Sequence, residues 1–432
     1  MRPRTVELGL LLLTCLITAS AYGLTSLGRA AALPADIVPF LLIVVVLLLT
    51  AHVVVRRLAP QADGLLLPLV ALLNGLGYAM IARLDPQLAD SQSAWTFLGL
   101  VGFTITLAVV RDVRKLAPYR YTLALIGVGL LMLPLVPGLG VEINGARIWL
   151  RAGPFSIQPG EFAKVVLAAF LAGYLVDKRE LLSISTRRLG PLHLPDVKHF
   201  GPLLLAWGVA LFVMIAQRDL GSSLLFFTLF VVMVYIATGR AAYVVTGVGL
   251  FAIGATVSYQ LFGHVQTRVA IWVDPFEEPK GAGFQIVEAA FGLADGGLTG
   301  TGLGQGTPGK VPFAVTDMIF AAIGEELGLL GATAILVTFL LFVGAGFRVA
   351  AEAKSTFEKL LAAGLTSLLG FQAFVIIGGV LRVLPLTGVT LPFVSYGGSS
   401  LISNYIILAL LIRISDRSHQ PANRPTKQAA AA

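Results

Sequence analysis

Residues 37–54 read Ile37-Val38-Pro39-Phe40-Leu41-Leu42-Ile43-Val44-Val45-Val46-Leu47-Leu48-Leu49-Thr50-Ala51-His52-Val53-Val54, and Arg56 and Arg57 close the run. No Asp, Glu, Lys or Arg interrupts it. Its length is close to the ~20 residues that carry an α-helix across about 30 Å of hydrocarbon. A helix on a soluble domain would keep one polar face, and this stretch has none. The same texture recurs outward in both directions. Twelve spans are expected, near residues 6–24, 37–54, 64–81, 95–110, 122–136, 159–176, 202–216, 222–238, 242–262, 318–347, 360–383 and 399–414. The fold class that follows is all-α, a polytopic integral membrane helical bundle. Composition agrees: 56% of the 432 residues are hydrophobic and 12% charged, about half the charged share of a soluble domain.

The net charge of +8 could suggest nucleic acid, but placing the basic residues removes that reading. With both termini cytoplasmic, most Lys and Arg fall in cytoplasmic segments, among them Arg56, Arg57, Arg111, Arg114, Lys115, Arg187, Arg188 and Arg417. Such a bias sets orientation in a plasma (inner) membrane, and the remaining charge meets anionic membrane lipids. Cys15 is the only cysteine, so a disulfide within the chain and a cysteine metal site are excluded. The five histidines show no ligand spacing. Arg2, Arg4 and the apolar run 8–24, with Ala19-Ser20-Ala21, resemble a signal peptide, but the first span is expected to stay as an uncleaved anchor.

Three external segments depart from short linkers: 137–158, 263–316 and 385–398. The second holds Trp272, Phe276, Ile286, Val287 and Phe291, too apolar for a disordered tether. Its stretch 284–293 is expected to form an amphipathic helix on the outer membrane surface. The tail after Ser415 is expected to be disordered.

Ionisable groups at membrane depth are costly, and each is a candidate for function. Glu161 and Lys164 stand three apart on one helical face. Asp219 opens a helix, and Glu325 and Glu326 lie two turns beyond Asp317. Mutual pairing is the simpler reading of Glu161, Lys164 and Asp219 as one buried polar network, and Glu325 and Glu326 read as structural too. Asp317 differs, because no basic residue is near it in sequence. Ala321, Gly324, Gly328 and Gly331 follow it at helical spacing, a smooth stripe for a close neighbour. That stripe turns Asp317 into the bundle as a candidate general base, while a helix N-cap is the structural alternative. In 144–164, Arg147, Trp149 and Arg151 alternate as on an extended segment, which suits a phosphate or diphosphate, or lipid headgroups. Gly300-Thr301-Gly302-Leu303-Gly304-Gln305-Gly306 lacks the buried strand a nucleotide loop needs, so it is not read as one.

Four motifs in order then resemble the SEDS family (shape, elongation, division and sporulation), which includes RodA and FtsW. They are Gly145 to Trp149 with Gln158-Pro159-Gly160-Glu161-Phe162-Ala163-Lys164; Gln217 to Gly221; Thr316-Asp317 with Gly324-Glu325-Glu326-Leu327-Gly328; and Leu384 to Gly388 through Leu391-Pro392-Phe393-Val394-Ser395-Tyr396-Gly397-Gly398-Ser399-Ser400. The resemblance implies two extra helices in 1–63, a polymerase core in 64–416 with external loop 263–316, and a tail in 417–432. The two-helix extension and Val311-Pro312-Phe313-Ala314 look closest to the actinobacterial RodA branch. Phe313, Val315, Arg218, Ile376 and Arg382 depart from the family pattern, and Arg382 stands where Gly is common.

The resemblance further implies a peptidoglycan glycosyltransferase acting on lipid II, making β-1,4-linked glycan for elongation or division. Asp317 matches the catalytic aspartate, and Arg147 and Trp149 match the substrate cavity. Ser395, Gly397, Gly398 and Ser399 belong to the substrate-binding motif, and Arg151 and Arg268 are further candidates for the diphosphate. No organic cofactor is implied; a divalent cation, Mg or Mn, held partly by Asp317 would make that residue a ligand instead of a base. The expected partner is a class B penicillin-binding protein, docking on the two spans after the long loop through Ala332, Ala334, Ala373, Gly378 and Gly379. A lipid II flippase and a non-catalytic scaffold are the rival readings. A flippase needs polar groups along a whole path, and here they gather toward one face.

Overall fold

The computed structural model describes residues 3–32, 37–143, 145–153, 155–183, 185–189, 192–195, 208–209, 211–213 and 215–420. Among them lie thirteen α-helices, labelled α1 Pro3–Ala30, α2 Ile37–Leu58, α3 Leu66–Leu84, α4 Pro86–Val109, α5 Arg120–Met132, α6 Pro159–Ser183, α7 Leu220–Thr238, α8 Ala241–Leu261, α9 Gly263–Val273, α10 Phe284–Gly296, α11 Ile319–Glu352, α12 Thr356–Val380 and α13 Gly398–His419. Eleven helical segments are long and apolar enough to cross a membrane, among them Val113–Leu135, which joins a 3₁₀ turn to α5. The protein is a multi-pass membrane helical bundle. The expected span 202–216 falls largely outside the described residues.

The bundle is centred on α12 and α13, whose spans are 78% and 83% buried, while α2, the run that opened the reading, is 17% buried and faces lipid. The strongest packing pairs are α4 with α13, α5 with α6, α11 with α12 and α1 with α3. A buried charge knot holds the first two helices to the rest. Glu7, with none of its surface exposed, pairs with Arg4 and with His52 Nδ1 of α2 at 2.7 Å, and Arg4 also donates to the Ala62 carbonyl. Farther along, Tyr22, Phe40 and Tyr78 stack α1, α2 and α3 together.

The bundle has two unlike ends. At one, which also holds the start of α1, Arg413 is buried and donates to the carbonyls of Leu58 (2.7 Å), Val110 (3.0 Å) and Leu107. Asp416 accepts from Gln61 N at 2.8 Å, and Ser415 Oγ from Asp63 N at 2.9 Å. Ser355 and Glu358 form a capping box that starts α12. Arg417 bridges Glu358 (3.3 Å) and Asp112. The Arg114 and Arg417 guanidiniums hold the Asp112 carboxyl far below the usual range. The expected tail boundary at 417 is therefore too early, because α13 runs through His419; residues 421–432 lie outside the described set.

The other end, here the site end, carries the long segments. A three-stranded antiparallel sheet, β1 Gly140–Ile143, β2 Ala146–Ala152 and β3 Phe155–Ile157, stands between α5 and α6. At the opposite end, that of Arg413, a two-stranded hairpin, β4 Ser185–Leu189 and β5 Leu192–Pro195, follows α6, whose last turns meet Arg120 and Tyr243. These are small additions to the expected all-α class, and only the strand around Arg147–Arg151 was legible as extended sequence.

Two further expectations are corrected here. Helix α10 covers 284–293 as read, but it packs its Ile286, Val287, Ala289 and Gly292 side against the start of α11 instead of lying free on a membrane surface. The stripe 321–331 is not one continuous helical face, because α11 breaks at Gly328 (φ 64°, ψ −167°). The Gly-rich loop fills the break: Thr301 N and Gly302 N donate to the Glu325 and Glu326 carbonyls, and Leu329 N and Leu330 N donate to those of Gly297 and Leu298. A Cβ on Gly328 would meet Gly300 N at 2.2 Å, so the close approach itself requires glycine.

Candidate active site

Asp317 sits on a tight turn, not in a helix. Phe313 at φ 59° lets Thr316 N and Met318 N both reach its carbonyl, at 2.9 and 3.2 Å. Helix α11 begins at Ile319, and its N-cap position, Met318, makes no side-chain cap. The capping alternative for Asp317 is thereby removed. Its half-buried carboxylate accepts from Thr316 Oγ1 at 3.0 Å and from Gln285 Nε2 of α10 at 3.3 Å.

The 385–398 segment clasps this turn. Tyr396 N donates to the Val315 carbonyl at 2.8 Å, and Ser395 Oγ donates to the Thr316 carbonyl while accepting from Leu391 N. Arg268 comes from α9, and its Nη1 donates to the Leu386 carbonyl at 2.7 Å. Its charge is felt by Asp317 on one side and Asp219 on the other. Asp317 is thus isolated from bases in sequence but not in space. A second clamp fixes α9: Trp272 Nε1 donates to the Arg382 carbonyl at 3.0 Å, and Arg382 Nη2 donates to Val273 at 3.1 Å. Arg382 has φ 58°, a left-handed conformation that favours glycine, so the departure from the family pattern falls where glycine would be unstrained.

Electrostatics follow from enclosure. Burial raises the Asp317 carboxyl above its ordinary value, with the Thr316 and Gln285 hydrogen bonds and Arg268 opposing. Burial lowers Arg268, and the two aspartates oppose that shift. His264, one helical turn before Arg268, is pushed down by burial and then by Arg268 and Arg218, and its Nε2 has no hydrogen-bond partner among the described residues. A carboxyl whose pKa is raised by enclosure, and which feels the charge of Arg268, is suited to exchanging a proton.

The buried polar network divides into three. Glu161 and Lys164 pair at 2.6 Å; Lys164 also donates to Gln372 Oε1 (2.9 Å), whose amide donates to the Thr390 carbonyl (2.8 Å), and Ser403 Oγ donates to Glu161. This set ties α6, α12 and α13 to the 385–398 segment. Asp219 stands apart from it and caps α7, accepting from Ser222 N (3.0 Å) and Oγ (2.6 Å). Glu325 and Glu326 hold the Gly-rich loop through Thr307 N and Gly304 N, and Arg83 Nε meets Glu326 at 3.0 Å.

The other expected substrate contacts separate into held and free groups. Ser395 and Ser399 are each 4% exposed, and Ser399 Oγ accepts from Gln158 N at 3.0 Å, linking the three-stranded sheet to α13. A Cβ on Gly398 would strike the Trp95 ring at 2.3 Å, and Gly397 is extended at φ 174° beside Thr390. These four build the loop's shape. Arg147 and Trp149 are half-buried on β2 and Arg151 is exposed; among the described residues neither arginine has a hydrogen-bond or ion-pair partner. Among the described residues no group of three or more His, Cys, Asp or Glu side chains could hold a metal ion.

With this geometry in hand, comparison with known proteins gives one family. The FtsW/RodA/SpoVE cell cycle protein family matches residues 64–420. The chain belongs to that family. As a FtsW/RodA/SpoVE protein it is 46% identical to the peptidoglycan glycosyltransferase RodA of Mycobacterium tuberculosis, over 97% of this chain and 92% of that one. It is 37% identical to the stage V sporulation protein E of Bacillus subtilis, over 66% and 76%. Among solved structures, one described as structural coordination of polymerization and crosslinking by a peptidoglycan synthase complex superposes with TM-score 0.68 at 29% identity, covering 83% of this chain and 99% of that one. The Thermus thermophilus rod shape determining protein RodA superposes at 0.58 with 27% identity, over 83% and 98%.

Several residues in and around this candidate site carry no signal that sequence reasoning used. Gln285, His264 and Gln372 lie inside apolar stretches far from Asp317 in sequence. Gln92 is fully buried two turns into α4 with both amide atoms unpartnered. Flanked by Asp90, Ser91 and Ser93, it carries no mark in the sequence that would have singled it out.

Proposed function

We propose that this protein is a peptidoglycan glycosyltransferase that polymerises lipid II into β-1,4-linked glycan, for cell elongation or shape or for division. The observation that carries the reading is Asp317, an enclosed carboxylate whose nearest cationic group, Arg268, comes from a different segment. The acceptor's GlcNAc 4-hydroxyl attacks C1 of the donor MurNAc, Asp317 takes the hydroxyl proton, and undecaprenyl diphosphate departs with the bonding pair. Arg268 offsets negative charge at the reacting centre, and Arg147 and Arg151, without partners among the described residues, receive the diphosphate. The site end then faces outward, both termini lie in the cytoplasm, and the membrane is the plasma membrane.

A class B penicillin-binding protein supplies the crosslinking. Its docking face needs revision, because Ala332, Ala373, Gly378 and Gly379 are buried within the chain. Of the five residues expected there, Ala334 alone is exposed, beside Leu340, Leu341 and Phe374 at 61%, 57% and 54%. Purified protein given lipid II in detergent should make glycan chains resolvable on a gel, and more of them with the cognate partner. Transfer of lipid II across vesicles without any polymer would favour the flippase instead.

A further inference from the structure

Between α1, α3 and α11 lies a cavity of about 400 Å³. Leu16, Ile17 and Leu24 of α1 form one wall, Met80 of α3 another, Leu327 of α11 a third, and Leu303 of the Gly-rich loop the roof. Ser20 is the only polar side chain in its lining. Close-packed interiors leave few voids larger than a water molecule, and an apolar cavity does not hold water. Leu16 and Leu24 are 63% and 53% exposed, so the cavity opens on the hydrocarbon around the bundle. The roof is held in place: a Cβ on Gly28 would meet the Leu303 carbonyl at 2.1 Å, and one on Gly304 the Thr25 carbonyl at 2.2 Å. Arg29, in the last turn of α1, is exposed and has no ion-pair or hydrogen-bond partner among the described residues. It stands about 7.5 Å along the helix beyond Leu24, the headgroup side of the mouth. Its backbone lies against Gly304.

We infer that this cavity is a binding site for a phosphate-bearing lipid, with one hydrocarbon chain seated among α1, α3 and α11 and the phosphate at Arg29. An apolar chain is the only filler the surrounding medium offers an apolar void, and an exposed arginine at the headgroup level, without a partner among the described residues, selects phosphate over neutral lipids. The chain would brace the first half of α11, which follows Asp317 directly, and the loop that fills the break at Gly328. Wall α1 lies before residue 64, outside the stretch matched to the family. Binding there does not depend on polymerase activity.

The test uses the full chain, purified in detergent and stripped of lipid, and native mass spectrometry with phosphatidylglycerol, a polyprenyl phosphate or neutral diacylglycerol added. A one-to-one adduct with the phosphate lipids is expected, and the preferred one identifies the source. Ser20→Phe should fill the cavity and weaken retention of every lipid about tenfold, while Arg29→Ala should weaken only the phosphate lipids, also about tenfold. A phosphate lipid carrying a diazirine in its chain should label α1, α3 and α11 in the unaltered chain, which decides the matter even if Ser20→Phe does not fold. Equal retention by folded Ser20→Phe, labelling confined to other helices, or a co-purified protein helix crosslinked to Leu16 and Leu24 would each overturn the site.

Discussion

The surroundings of Arg413 and of Asp317, at the two ends of this bundle, treat charge differently. At the end holding Arg413, charges are paired at close range: Arg413 serves three carbonyls, Asp416 a backbone amide, and Arg417 two carboxylates. At the site end, Asp317 and Arg268 influence each other without a close ion pair, His264 Nε2 and Thr387 Oγ1 are unsatisfied, and Arg218, Phe313, Arg382 and Phe393 all carry positive φ. Unsatisfied polar groups and left-handed residues cost stability, and they persist where a surrounding structure over-determines them. One end holds the helices together, and the other keeps groups available for a substrate.

That contrast can be broken by mutation, beginning where the cost should be greatest. Arg413→Met orphans three buried carbonyls and leaves Asp416 without its nearest cation, so stability should fall by roughly 3–5 kcal/mol. Melting in detergent should drop steeply while turnover per folded molecule is kept; a large loss of turnover at unchanged melting would erase the distinction between the ends. Gly328→Ala places a Cβ against Gly300 in a left-handed conformation and should cost about 1–3 kcal/mol. Here turnover should suffer more than stability, since the break holds the loop behind Asp317. A variant with normal activity would show that the break is incidental. Ser355→Ala removes one half of the capping box on α12, a loss of about 1 kcal/mol with activity intact, read by the same melts.

The smallest effect is a pH shift. Asp317 acts as base only when ionised, and burial raises its pKa, so polymerisation should fail on the acid side at a higher pH than a free aspartate would dictate. Thr316→Val removes the hydroxyl that opposes the shift and should move that acid limb further upward. Stability runs the other way. A carboxyl whose pKa is raised by folding favours the native state at low pH, and that contribution is lost as pH rises through the folded value.

Much of this was legible in the chain because lipid imposes a simple rule on sequence. Long apolar runs gave the spans, and polar residues concentrated in three segments marked the candidate site, with Asp317 at the edge of one. What was not legible depended on partners distant in sequence. The stripe Ala321, Gly324, Gly328 and Gly331 has helical spacing, yet Gly328 breaks the helix because a loop from residues 297–302 supplies its hydrogen bonds. Ser395 and Gly398 read as substrate contacts, but their neighbours, the Thr316 carbonyl and the Trp95 ring, commit them to the scaffold. Asp219 sits within a polar cluster by composition, yet its carboxylate caps α7 next to it. Arg413 is one basic residue among many in the sequence, and only packing shows it buried under two helix ends, those of α2 and α4.

The most direct test of the central claim is Asp317→Asn, assayed for lipid II polymerisation and for melting on the same preparation. The substitution keeps size and hydrogen bonding and removes the base. Glycan synthesis should fall by about 10²–10⁴-fold, with a melting temperature equal to or above that of the unaltered protein, since an enclosed charge is gone. Synthesis above about a tenth of the original rate, or a loss that merely follows unfolding, would contradict the assignment of Asp317 as the catalytic base.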